Sequence, residues 1–206
     1  MTIHLHQGDL PDGVDFGPVV AIDSETMGLR LGRDRLCVVQ LSDGGEDAHL
    51  VRFAAGSDYR APNLTRLLTD PDVLKLFHFG RFDIAMFALN LGVTTAPVYC
   101  TKIASKLART YTDRHGLKDV TKELLGIELN KQQQSSDWGA DALTPEQESY
   151  AASDVANLHR IRERLDVMIA REGRTALLQA CLDFLPARAL LDVAGWEDVD
   201  VFSHGG

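Results

Sequence analysis

Apolar runs long enough to cross a membrane are missing. None approaches the roughly 20 residues that such a span requires, and the opening MTIHLHQGDLPDG lacks the basic-then-apolar layout of a secretory signal. The chain is therefore expected in the cytoplasm. Cysteine is scarce: Cys37, Cys100 and Cys181 are odd in number, widely spaced and flanked by apolar residues. That speaks for reduced core thiols and against a disulfide framework or a zinc site. Neither a P-loop nor a G-x-G-x-x-G is present, so nucleotide-driven motors and Rossmann enzymes are unsupported. Positive charge is also short, with 21 Lys and Arg against 30 Asp and Glu for a net charge of −9. Affinity for long nucleic acid comes largely from cations on phosphates, so this balance argues against a clamp on long strands. It leaves room for chemistry on a short strand, where contacts are few and metal ions neutralise the local carboxylates.

What is present is an ordinary globular composition, 45% hydrophobic and 25% charged over 206 residues, without repeats or a Pro/Ser-rich linker. One domain over 1–206 is expected, with a core at about 18–165 and a helical extension at about 174–202. Buried strands are predicted at Pro18–Ile22, Leu36–Ser42 and Ala48–Phe53; short connections make them antiparallel neighbours. Further strands are predicted at Val73–His78 and Pro97–Cys100. Helices are predicted at 62–68, 81–91 (stopped by Gly92), 102–110, 117–125, 145–171 and 174–189. The fold class is α/β, a mixed five-stranded sheet flanked by helices.

Three segments carry candidate chemistry. In AIDSETMGL (21–29), Asp23 and Glu25 stand two apart on a strand, so both carboxylates point to one face. They repel unless a cation lies between them, and hard ions such as Mg²⁺ and Mn²⁺ take such oxygen ligands. In HFGRFDIAMF (78–87), Asp83 sits among large apolar residues, where an unpartnered carboxylate is costly. In YAASDVANL (150–158), Tyr150 and Asp154 are four apart on a helix and share a face. A carboxylate beside a phenol can anchor an ion and orient a water. Each pattern alone is equally what a solvated strand end, a helix N-terminus or a surface pair looks like.

Taken together, the strand D-x-E, the isolated Asp and the late Y-x-x-x-D resemble, in order and spacing, the ribonuclease D group of DEDD exonucleases. HGLKDVTKELLGIELNKQQQSSDW (115–138) and LTPEQESYAASDVANL (143–158) look like that group almost word for word, and the tyrosine marks its tyrosine-type branch. The resemblance covers about residues 18–165. It implies a ribonuclease H-like fold and two divalent ions, Mg²⁺ or Mn²⁺, held by Asp23, Glu25, Asp83 and Asp154. Tyr150 would position the attacking water, and the reaction would release nucleoside 5′-monophosphates in the 3′→5′ direction. Phe79 stands where many relatives carry Asn, and only about 40 residues follow Asp166, where ribonuclease D proteins carry further helical domains. In these respects the chain is similar to the compact nano-RNase C type, which is linked to the shortest RNA fragments and forms ring-shaped octamers. A homo-oligomer is therefore expected. The expected partner is short single-stranded RNA, with DNA left open; a general ribonuclease D-type exonuclease and a catalytically dead binding module remain the alternatives.

Substrate contacts are expected from Thr26, Met27, Gly28 and Leu29, which directly follow the first carboxylates, with Leu29 where short-RNA exonucleases place a leucine wedge between bases. His78 and Trp138 are further candidates. Lys102, Lys106 and Arg109 fall on one predicted helical face, inside a stretch (102–122) holding six Lys/Arg against two Asp. That face is either a phosphate contact or a plain solvated one. Lys131, Gln134, Ser136, Asp137 and Trp138 match the group's K-x-x-Q-x-S-D-W, as loop scaffold or as lining of the site.

Overall fold

The structure, a computed structural model, describes residues 1–130, 133 and 135–204. Among them, six strands form one mixed sheet, ordered β1-β4-β3-β2-β5-β6. The strands are β1 (Thr2–Gln7), β2 (Val19–Thr26), β3 (Leu36–Ser42), β4 (Asp47–Arg52), β5 (Leu74–Phe77) and β6 (Val98–Cys100). The helices are α1 (Pro62–Thr69), α2 (Gly80–Leu91), α3 (Thr101–Ala108), α4 (Leu117–Leu125), α5 (Pro145–Ala156), α6 (Leu158–Arg171) and α7 (Thr175–Val193). The sheet thus has one strand more than expected. β1 pairs in parallel with β4, Leu5 opposite Leu50. In TIHLHQ only Ile3 and Leu5 are apolar and histidines alternate with them, too weak a period for a strand to declare itself. The predicted antiparallel run of three is β2-β3-β4.

β3 is buried along its whole length, because helices cover both of its faces, and its side chains are divided between two cores. Leu36, Val39 and Leu41 join the main core beneath α2, α3, α6 and α7, whereas Cys37 and Val38 join Leu50, Trp138 and Ala151 beneath α5. The predicted helix over 145–171 is two helices, broken at Asn157 (φ −111°, ψ 0°). Asparagine gives up helical geometry readily because its amide competes for backbone hydrogen bonds. In the C-terminal segment, Leu178, Leu182 and Leu185 face the core, while Leu177, Leu190, Trp196 and Phe202 are exposed.

These contacts position α2, the helix that follows β5. Gly92, at φ 70°, ends it as predicted. Its first residue, Gly80, lies so close to β5 that a Cβ there would stand 2.7 Å from Cβ and Cγ of Phe77. Helix propensity alone favours Ala over Gly by about 1 kcal/mol, but here the clash outweighs it. Gly80→Ala is expected to cost on the order of 1–3 kcal/mol, read as a lower urea midpoint; an unchanged or higher midpoint would contradict the close approach.

Candidate active site

β2 lies inside the sheet, paired with β5 along Val19–Ala21 and with β3 along Ala21–Thr26, so its end is held by β3. Asp23 and Glu25 sit on this end, followed by a bulge between Glu25 and Thr26. Tyr150 and Asp154 face them from α5, whose start is pinned by a capping box between Thr144 and Gln147. Asp23, Glu25 and Asp154 bring carboxylate oxygens within 4.8 Å of one another. Tyr150 neighbours Asp154, and burial together with that carboxylate raises the phenol's pKa. Asp83, 4% exposed in the first turn of α2, stands slightly apart from this trio and accepts a 2.5 Å hydrogen bond from Ser24 Oγ. Asp23 accepts a longer one, 3.4 Å, from Gln40 Nε2. Neither Ser24 nor Gln40 was singled out from sequence. Gln40 had a signal, as the one amide inside the apolar strand LCVVQLS, directly opposite Asp23.

The electrostatics follow from this crowding. Burial pushes Asp23 well above the usual carboxylate range, and Asp83, Asp154 and Glu25 push it further. Glu25 rises to about 9, from burial first and then from Asp154 and Asp83. Asp83 rises to about 7 by burial, against the opposing pull of the Ser24 hydrogen bond. Tyr150 is shifted upward by burial and by the neighbouring Asp154, Glu25 and Asp23. Convergent, desolvated oxygens that destabilise each other's charge are the donor set of a hard divalent cation. The residues fit such an ion: Asp23, Glu25 and Asp154 would hold it directly, with Asp83 at hand for a second.

All of these groups line one cleft of about 650 Å³. A model of the 3′–5′ exonuclease domain matches residues 12–170, which include each of the four carboxylates and Tyr150. The chain belongs to the 3′–5′ exonuclease family. Its structure is similar to that of Brucella melitensis NrnC bound to pGG, at a TM-score of 0.96, with 51% identity over 100% of both chains. NrnC with bound Mg²⁺ gives 0.95 and 50%, again over 100% of both. Ribonuclease D of Acidiphilium cryptum (strain JF-5) is 37% identical over 165 residues, 80% of this chain and 41% of the relative. The chain thus spans about two fifths of the length of the ribonuclease D relatives that it matches.

Within this exonuclease fold the expected substrate residues are partly brought together. Thr26, Met27, Gly28, Leu29, His78, Lys102 and Trp138 all line the cleft. Met27 and Leu29 are 53% and 81% exposed, whereas Trp138 is 3% exposed and tilts against the Tyr150 ring at 6.0 Å. His78 Nδ1 lies 2.8 Å from the Thr101 hydroxyl, and burial with nearby Lys102 holds the ring neutral, its pKa down to about 3. Lys106 is exposed and is not among the cleft-lining residues. Arg109 does not reach the cleft at all. It is fully buried, paired with Glu123 and hydrogen-bonded to Ser105 Oγ and the Arg114 carbonyl. The expected basic face fails there because α3 ends at Ala108 and Arg109 leaves the helical path (φ −103°, ψ 61°). Lys118 and Phe79 line the cleft instead, Phe79 with its ring 4.2 Å beneath Lys102 Nζ. Ser136 accepts a 2.8 Å hydrogen bond from Gln147, and the Asp137 carbonyl one of 3.0 Å, so this loop is tied to the start of α5. Lys131 and Gln134 lie outside the described residues.

The raised carboxyl pKa values have a consequence for stability. Unfolded, these groups titrate near about 4, so between about pH 4 and about pH 9 the metal-free fold holds more protons than the unfolded chain. Stability that is full at the acidic end is therefore lost as pH rises, through about 7 for Asp83 and about 9 for Glu25. In EDTA the melting temperature is expected to fall from pH 5.5 to 9, Glu25→Gln to flatten the fall, and Mn²⁺ to protect more at high pH. A melting temperature that rises across this range, or a Glu25→Gln curve parallel to wild type, would refute the assignment.

Proposed function

We propose that the chain is a 3′→5′ exoribonuclease that removes nucleoside 5′-monophosphates from very short single-stranded RNA, with dinucleotides at or near its optimum. The observation that carries this is the convergence of Asp23, Glu25 and Asp154 around Tyr150 in one cleft, in a chain of the exonuclease family. Two divalent cations, Mg²⁺ or Mn²⁺, would acidify a water and offset charge at the reacting phosphate when bound by the four carboxylates. The chain's own residues do the rest. The carboxylates set where the scissile phosphate can lie. The Tyr150 hydroxyl, shifted upward from a value already near about 10, stays protonated and orients the water instead of removing its proton. The wall formed by Trp138 behind it keeps the phenol in place.

Several features support a short substrate. Leu29, 81% exposed on the cleft wall, would wedge against a base. Lys102 and Lys118 supply cations at the cleft, in reach of a phosphate that need not be far from the reacting one. A volume of about 650 Å³ suits a ligand of small-molecule size. NrnC, similar over its whole length, has been solved bound to pGG, a ligand of that size. The exposed Trp196 and Phe202 would serve as contacts between copies in a homo-oligomer, a state that light scattering reads directly.

Two measurements test this reading. Tyr150→Phe removes one hydroxyl and leaves the carboxylates, so Mn²⁺ binding should persist while kcat drops by roughly 10²-fold, the lower end for groups that handle protons. Loss of Mn²⁺ affinity with an unchanged maximal rate would reverse the roles. In competition, a 5′-phosphorylated RNA dinucleotide should exceed a seven-nucleotide RNA in kcat/KM, and Leu29→Ala should narrow the gap. Equal handling of both lengths by the wild type would leave a general exonuclease, activity on a DNA dinucleotide would remove the RNA preference, and no EDTA-sensitive cleavage would leave a binding module.

A further inference from the structure

α7 and the residues after it lie beyond the stretch that the exonuclease model matches, 12–170, and the chemistry above gives them no task. α7 packs along α2, the helix carrying Asp83. Near the end of α7, Asp192 is 8% exposed and accepts hydrogen bonds from two arginines. Arg81 grips it as a fork, Nε to Oδ2 at 2.5 Å and Nη2 to Oδ1 at 2.7 Å, and Arg188 Nη1 reaches Oδ1 at 2.7 Å. Both arginines also hold the chain that follows. Arg81 Nη2 donates to the Glu197 carbonyl at 2.7 Å, and Arg188 Nη2 to those of Glu197 and Trp196 at 3.0 and 3.3 Å.

Arg81 belongs to the first turn of α2, between Phe79 and Phe82, which line the cleft, and two residues before Asp83. That turn has no side-chain cap. Its N-cap, Phe79, is left-handed at φ 74° and makes no side-chain cap hydrogen bond, so the leading N–H groups gain nothing from a cap. A two-pronged guanidinium–carboxylate contact fixes distance and direction together, and Asp192 is too buried to let go of Arg81 without leaving a charge short of partners.

We propose that Arg81 and Asp192 form a brace through which α7 sets the position of the first turn of α2, and so of Asp83 and the phenylalanines beside it. Both are positioning residues for the hydrolysis proposed above; the activity arm of the test rests on that reading, and the metal arm does not. The test compares Mn²⁺ binding by calorimetry, melting temperature and kinetics on a short RNA for the full chain carrying Arg81→Gln, Arg81→Lys or Leu178→Ala. Leu178 is buried in the main core on the same helix, and its truncation loosens α7 without touching the fork.

Arg81→Gln is expected to weaken Mn²⁺ binding on the order of 10-fold, the usual scale for groups that orient metal ligands, and to lower kcat with little change in KM. Arg81→Lys keeps the charge but not the fork and should fall part-way, and it serves should Arg81→Gln not fold. Leu178→Ala should lower the melting temperature at least as much while keeping wild-type Mn²⁺ affinity. Wild-type Mn²⁺ affinity in both Arg81 variants, or an equal loss in Leu178→Ala, would overturn the brace. A wild type that binds Mn²⁺ but cleaves no RNA would sink the exonuclease reading alone, and the brace would still be judged by the metal arm.

Discussion

Repulsion among carboxyl groups at the end of β2 is the constraint around which this molecule is built. Asp23, Glu25 and Asp154 approach to within 4.8 Å in a half-buried cleft, where water screens charges less than in bulk. A flexible framework would relax and let the charges part. This one is restrained, because β3 pairs with β2 through Asp23 and Glu25 and α5 starts from a complete capping box. Hydrogen bonds give part of the relief, among them those from Ser24 to Asp83 and from Gln40 to Asp23. A divalent cation would offset the rest, and would meet ligands already held in place.

The remaining charges are sorted by what they can do. Lys102 stands at the cleft over the Phe79 ring, where a cation can meet phosphate. Arg109, drawn from the same stretch of sequence, is used as internal structure. Its guanidinium ties Ser105, Glu123 and the Arg114 carbonyl together, and so shapes the chain that leads into Gly116, Leu117 and Lys118 on the cleft wall. His78 is likewise absorbed, its ring against Thr101 and kept neutral. Among the described residues, Lys102 and Lys118 are the lysines that line the cleft, in a chain with net charge −9, which accords with the short substrate proposed above.

Much of this could be read from residue order alone, where short-range periodicity decides the outcome. Strand alternation places Asp23 and Glu25 on one face, and helical spacing places Tyr150 with Asp154. The strand LCVVQLS and the Gly92 stop behave as their composition requires. These regularities, with the resemblance to ribonuclease D, sufficed to pick out the carboxylates and the α/β class. Only tertiary structure decided the rest. Whether β1 would find a partner depended on β4, over 40 residues away. Whether Arg109 would face phosphate or Glu123 depended on where α3 stopped. That Ser24 meets Asp83, and Arg81 meets Asp192 across 111 residues, leaves no mark in local spacing. Periodicity is a property of neighbours along the chain, whereas a buried polar group takes whatever partner the packed elements bring within reach.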